Sequence, residues 1–319
     1  MPPFGFFAFF LTLFIHPQQV ETSFYKLAGP IRTTIVAVGT NGTIARTTDA
    51  GTHWNITPNN GGAKTDLLGV SFIDSLHGWS VGKNFTILET TNGGISWKNK
   101  DSSGFFDLTY VHFVTSNIGW IAGTRGLILK TTNAGKTWTR QMSNTTDDLW
   151  SGSFINDSIG WFCGASGTIL RTRDGGLNWT LTKTMFKMTA LGICFLDSLH
   201  GWNSGGYGSI YATADGGKTW TGQNTYEDAY LFRTRNFHYA IQFADSMFGW
   251  VIGSNGTIMK TSDGGMHWTG RDGSVEDLLH DILIVDRNTL YLCGNNGIIM
   301  KSSDGGATWN KQTLELTKR

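Results

Sequence analysis

The sequence predicts an all-β fold, a seven-bladed β-propeller with four-stranded antiparallel blades, and three observations carry that prediction. An eight-residue pattern, Ser/Thr-x-Asp/Asn-x-Gly-x-x-Trp, occurs seven times, and its tryptophans lie 43, 41, 41, 41, 48 and 41 residues apart. A period near 41 is the length of one four-stranded blade. Upstream of each copy, short runs of strand-type residues alternate with turn residues, as in Leu67 to Ile73, Trp79 to Val81 and Phe85 to Glu89 of the second unit. One such sheet cannot cover both of its own faces, and closing seven into a ring hides the terminal faces without a special cap. No linker interrupts the series, so residues 21–319 read as a single domain.

Within each copy the residue types have mechanical roles. The acid or amide (Asp49, Asn92, Asn133, Asp174, Asp215, Asp263, Asp304) is expected to accept backbone N–H bonds from about two residues on. The glycine supplies a positive φ. The tryptophan (Trp54, Trp97, Trp138, Trp179, Trp220, Trp268, Trp309) returns the chain into the sheet as a buried ring. These residues therefore read as fold determinants and not as catalytic groups. A Gly-Trp pair marks the second strand at Trp79, Trp120, Trp161, Trp202 and Trp250, with Tyr291 in the matching place of the last unit. The first unit is weaker: Thr22 to Ala28 falls in register but lacks the Phe found at Phe72, Phe113, Phe154, Phe195 and Phe243. Either that strand is degenerate, or the segment Thr313 to Arg319 completes the ring.

A formal net charge of +1 and a pI near 7.8 provide neither a basic field for nucleic acid nor an acidic tail. Cys163, Cys194 and Cys293 sit in strand-like runs and read as small buried hydrophobes. Residues 1–20 carry no Lys, Arg, Asp or Glu and hold an apolar stretch from Phe4 to Ile15, expected to be a secretory signal or an N-terminal anchor. The domain is thus expected in a periplasmic, lumenal or extracellular space. Asn-x-Ser/Thr sequons at Asn41, Asn55, Asn84, Asn144, Asn156, Asn178 and Asn255 are open to glycosylation, although several fall in turn sequences that explain them equally well. There is no phosphate-binding loop, nucleophile elbow, zinc-binding His pair or paired-Cys metal motif, so no cofactor and no metal are expected.

A site is expected on the face that carries the blade-to-blade connections and the loops between second and third strands. Asp66, Asp107 and Asp148, each followed by Leu, form an acidic arc at the start of successive inner strands. They face the connection Asn224 to Asn236, the one long insertion, with Tyr226, Tyr230, Arg233 and Arg235. Two tyrosines and two arginines in ten residues resemble interface composition. Arg125 and Tyr207 belong to the same face; Trp150 lies near the same mouth, where with Tyr207 it could stack on a sugar or a partner side chain, but at an inner-strand position it reads first as core. The acids read first as loop or strand-end caps that accept backbone hydrogen bonds, then as a partner- or cation-binding set, and last as a glycosidase pair.

The pattern is the Asp box, and seven tandem copies with a Gly-Trp-x-x-Gly second strand resemble the photosystem II assembly and stability factor family and its bacterial relatives. The resemblance implies a non-enzymatic propeller, exported to a lumen or periplasm, that binds a protein partner such as a membrane-protein intermediate or cell-surface component. The photosynthetic members carry an arginine cluster, whereas here only Arg125, Arg233 and Arg235 stand on that face. The rival reading is a sialidase-like glycoside hydrolase or glycan-binding propeller. Pro30-Ile31-Arg32 reverses the Arg-Ile-Pro order of the sialidases, and no arginine triad is evident.

Overall fold

The computed structural model describes residues 22–57, 62–101, 104–184, 188–225, 236–272 and 275–316. Seven antiparallel sheets follow one another along the chain. Blade one consists of Phe24–Ile31, Thr34–Gly39, Ile44–Thr47 and Trp54–Thr57, and blade two of Leu67–Phe72, Gly78–Gly82, Thr86–Thr90 and Lys98–Asp101. Blades three to seven begin with inner strands Leu108–Phe113, Leu149–Phe154, Ala190–Phe195, His238–Phe243 and Leu279–Ile284, and all seven inner strands line one axial channel.

The Asp-box turn is held differently from the sequence expectation. Its carboxylate or amide oxygen accepts from the backbone N–H four residues on, not two: His53 N–H to Asp49 at 2.9 Å, Thr137 N–H to Asn133 at 2.9 Å and Thr308 N–H to Asp304 at 2.9 Å. The reach is longer because the preceding hydroxyl fills the near position. Thr47 Oγ1 donates to Asp49 and accepts from the Gly51 N–H, so the leading Ser/Thr is as much a determinant as the acid. Gly51 sits at φ +89, as the turn requires. Five of the seven box tryptophans are buried, while Trp138 and Trp309 are only half-buried.

These hydrogen bonds hold the turn carboxyls down. Asp215 is pulled to about 2 by the Thr219 hydroxyl and backbone N–H, and Asp304 to about 2 by the same two groups of Thr308. A carboxyl lowered in the folded state adds stability that is complete above its unfolded value near 4 and is lost as pH falls toward 2. Thermal unfolding is expected to show a drop in Tm across that window, and in Thr308→Val the drop is expected to be smaller.

The Gly-Trp pair joins blades. In five blades the Phe ending the inner strand lies over the glycine of the next strand; a Cβ on Gly78 would stand 2.6 Å from the Phe72 ring. Four of these rings, all but Phe72, then stack on the tryptophan of the preceding blade, with Trp79–Phe113, Trp120–Phe154, Trp161–Phe195 and Trp202–Phe243 centroids at 4.0, 4.4, 3.6 and 3.7 Å. Blades one and seven lack the Phe and the Gly together, pairing Ile31 with Thr34 and Ile284 with Leu290. The first inner strand is therefore complete, with a matched change at its end. The C-terminal segment also contributes: Leu314–Leu316 runs parallel to Trp54–Ile56 as a fifth, outer strand of blade one. Ring closure repeats the general contact, since Tyr291 Oη and Lys301 Nζ both donate to the Ala50 carbonyl, each at 2.7 Å.

Backbone bonds separate the two faces. Box-turn N–H groups bond to carbonyls of the first-to-second-strand turns, as Gly93 to Leu76 and Gly305 to Asn288. Second-to-third-strand turns bond instead to residues preceding the next strand sequence, as Lys83 to Asp66 and Ala165 to Asp148. The connections and the second-to-third-strand turns thus share the channel mouth, opposite the boxes.

Candidate functional site: the channel mouth

The channel is a cavity of about 450 Å³. Near the mouth its wall is formed by the second residues of the inner strands, Tyr25, Leu68, Thr109, Trp150, Leu191, Tyr239 and His280. Trp150 is therefore a channel residue, half-buried, and not part of the core. Later strand positions, toward the box face, contribute His112, Ser153, Cys194 and Gln242. Burial pushes His112 down to about 4, so it is neutral at physiological pH. Burial raises the Cys194 thiol to about 11 and keeps it protonated. Among the described residues no group of three or more His, Cys, Asp or Glu is placed to hold a metal ion.

The mouth has two unlike halves. On the side of blades one to four, the three acids are engaged in holding turns. Asp66 accepts from the Asn41 N–H at 3.1 Å, Asp107 from the Asn84 N–H at 3.0 Å and Asp148 from the Arg125 N–H at 2.8 Å. Each donor residue has a positive φ, between 52 and 56. Each carboxylate thus crosses one blade boundary to fix the left-handed turn of the preceding blade. Asp66 also pairs with Lys83 at 2.7 Å. Arg125 uses its backbone in this scheme and leaves its guanidinium exposed.

On the side of blades five, six, seven and one, aromatic rings form a continuous run. Tyr207, at φ 57 on the turn of blade five, is 58% exposed and lies 6.4 Å from the Phe237 ring. Phe237 lies 6.2 Å from Tyr239, Tyr239 lies 5.4 Å from His280, and His280 lies 5.0 Å from Tyr25. The His280 ring is oriented by Asn295 at 2.8 Å, and burial lowers its pKa. Beneath the run, Asp281 is 1% exposed, pairs with Lys26 at 2.8 Å and accepts from the Leu27 N–H at 2.9 Å, tying blade seven to blade one. The half-buried ammonium of Lys26 thus compensates the charge of the buried carboxylate.

The structure therefore separates the sequence-predicted residues. Asp66, Asp107, Asp148 and Arg125 share inter-blade turns, and Tyr207 stands in the aromatic half. Tyr226, Tyr230, Arg233 and Arg235 lie outside the described residues. Sequence reasoning missed Tyr25, Phe237, Tyr239 and His280. The available signal was positional: the second residue of the inner strand carries a ring in blades one, four, six and seven.

The family model described as photosynthesis system II assembly factor YCF48 matches residues 62–146 and 223–277. A solved structure of YCF48 bound to D1 peptide superposes with a TM-score of 0.74 at 18% identity, covering 88% of this chain and 92% of that one. YCF48 from Cyanidioschyzon merolae gives 0.72 at 19% identity, covering 88% and 96%. The WD40 propeller domain of Doa1 gives 0.71 at 10% identity, covering 90% and 95%, so the likeness in coordinates is one of fold. No protein with a curated description matches. The chain is a seven-bladed Asp-box propeller that resembles the photosystem II assembly factor family.

Proposed function

We propose that this protein is a non-enzymatic, exported propeller that holds a segment of a protein partner, a membrane-protein intermediate, at the aromatic half of the channel mouth. The observation that carries the reading is the unbroken run Tyr207, Phe237, Tyr239, His280 and Tyr25, which offers stacking surface with one wet edge. The resemblance supports the partner class, since a similar propeller has been solved with a peptide bound. The inserted connection containing Tyr226, Tyr230, Arg233 and Arg235 returns to the described chain at Asn236 and Phe237, beside this run, and is assigned to the same surface. Hydrolysis is disfavoured by the state of the acids: Asp66, Asp107 and Asp148 are each bonded to a separate turn, whereas a glycosidase needs two carboxyls facing one bond. Residues 1–20 are assigned to export or anchoring.

The test places a photo-crosslinking amino acid at Tyr207 and, as control, at Leu177 on the box face, which is 79% exposed. With native membranes, position 207 is expected to give an adduct with a membrane protein and position 177 none. Tyr207→Ala with Phe237→Ala is then expected to weaken that partner at least tenfold while leaving Tm unchanged. Equal adducts from both positions, or release of sugar from a glycan library, would overturn the reading.

A further inference from the structure

Two of the seven blades carry a fifth strand on the outer edge, and both are built in the same way. Leu314–Leu316, leaving blade seven, runs parallel to Trp54–Ile56 of blade one. Asn224–Thr225, leaving blade five, runs parallel to His267–Trp268 of blade six. The second case falls in the 48-residue step between Trp220 and Trp268, the longest in the series. In both blades the box tryptophan beneath the added strand, Trp54 or Trp268, is 0% exposed. Among the described residues, no other blade carries an added strand.

Among the remaining edges, that of blade three is set apart. Its fourth strand is Thr139–Gln141, and the box tryptophan before it, Trp138, is only half-buried. Met142, which continues the strand, is 79% exposed. The connection into the blade presents Phe105 at 100% exposure, next to Phe106, whose ring lies 5.7 Å from the Arg140 guanidinium. The edge of blade two, by contrast, is Lys-Asn-Lys-Asp, a sequence of the kind that keeps other strands away.

We infer that the outer edge of blade three, Trp138 to Met142, is a second interaction surface that takes an extended polypeptide segment of a partner protein in parallel, with apolar residues at alternating positions. The occupied edges define the direction, and that of blade one defines the occupant. In blade one Leu314 packs inward on the cluster containing Trp54 and Ile56, while Glu315 faces solvent. A segment in the same register beside blade three would meet Trp138, Thr139 and Arg140 through backbone bonds, with its apolar side chains on the exposed part of Trp138 and flanked by Phe105 and Met142. Main-chain bonds supply affinity in this mode, and alternate side chains supply selectivity.

The test uses the full chain and a synthetic peptide with the sequence of residues 311–319, Lys-Gln-Thr-Leu-Glu-Leu-Thr-Lys-Arg. Saturating peptide is expected to slow amide hydrogen exchange at residues 138–142 at least tenfold, and a peptide with both leucines replaced by aspartate to have no effect. Phe105→Ser with Met142→Ser is expected to weaken peptide binding tenfold or more at unchanged Tm, both side chains being exposed. Protection appearing at 54–57 instead, through displacement of the protein's own C-terminal strand, would overturn the assignment. So would an absence of protection, or a concentration-dependent dimer that protects 138–142 without peptide, which would make a second copy the occupant.

Discussion

Replacing Trp161 by alanine is expected to lower the free energy of unfolding by about 3–5 kcal/mol, the range for deleting a buried tryptophan. The ring is 0% exposed and lies flat on Phe195 of the next blade, with centroids 3.6 Å apart and planes 3° apart. Its indole N–H donates to the Gly216 carbonyl, inside the next Asp box, at 2.9 Å. Three losses therefore coincide: transfer of the ring from water, the cavity left behind, and a carbonyl stripped of its donor. Trp161→Phe separates them in part, because it keeps a ring on Phe195 while removing the N–H and the smaller part of the indole; its expected cost is about 1–3 kcal/mol, a net hydrogen bond plus a small cavity. Urea unfolding monitored by circular dichroism measures both. A loss below about 1 kcal/mol in Trp161→Ala would show that adjacent blades do not depend on this contact, and the account of the Gly-Trp pair would fail with it.

The same contact shows how far the sequence could be read. The recurrence of Gly-Trp was visible, and so were the blade count and the box, because each is a pattern along the chain with a local cause. What the tryptophan touches was not visible, since its partners lie about one period away on a neighbouring sheet. The box carbonyl illustrates the difference. In blades four and five the donor to the following box is the indole of Trp161 or Trp202. In blades one, three, six and seven it is a third-strand cation, Arg46, Lys130, Lys260 or Lys301. Neither residue type is constant across these six blades, and blade two, with Trp79 and Glu89 at the two positions, follows neither scheme. The acidic arc was legible as a set but not in its role: Asp66, Asp107 and Asp148 recur because three turns in the preceding blades present a left-handed N–H to be bonded, a reason located in another repeat. The aromatic run of Tyr207, Phe237, Tyr239, His280 and Tyr25 is marked along the chain only in part: Tyr25, Tyr239 and His280 share the second position of an inner strand, but nothing in the linear order shows that they join one another or Tyr207 and Phe237. Its members come from four blades, and only ring closure, which brings blade seven against blade one, makes them continuous.

Gly164→Ala is expected to cost about 3 kcal/mol, although the substitution adds a single methyl group. The backbone there is extended, at φ −167, a conformation open to any residue, so the requirement for glycine is one of room. A Cβ would overlap the Asp148 carbonyl oxygen and stand 3.0 Å from its carbon and 3.1 Å from the Leu149 Cα. Those are backbone atoms at the start of the inner strand, where no flexible side chain can yield. The register shift between Leu149 and Ser151 brings them close, and the Ala165 N–H bonds the same Asp148 carbonyl at 2.8 Å. Moving Asp148 aside would also withdraw its carboxylate from the Arg125 N–H and release the turn of blade three. The cost thus combines overpacking of about 1–3 kcal/mol with at least one weakened hydrogen bond of about 1 kcal/mol. The same approach recurs at Gly39, Gly82, Gly123, Gly205, Gly253 and Gly294, so alanine at any of them is expected to behave alike. Gly222, whose Cβ would find its nearest neighbour 3.9 Å away on the Tyr211 ring, is the control and is expected to change stability by less than about 0.5 kcal/mol. Equal urea midpoints for Gly164→Ala and Gly222→Ala would mean that the inner strand is free to shift at the mouth. The wall carrying Trp150, Tyr239 and His280 would then not be the fixed surface that the proposed partner site requires.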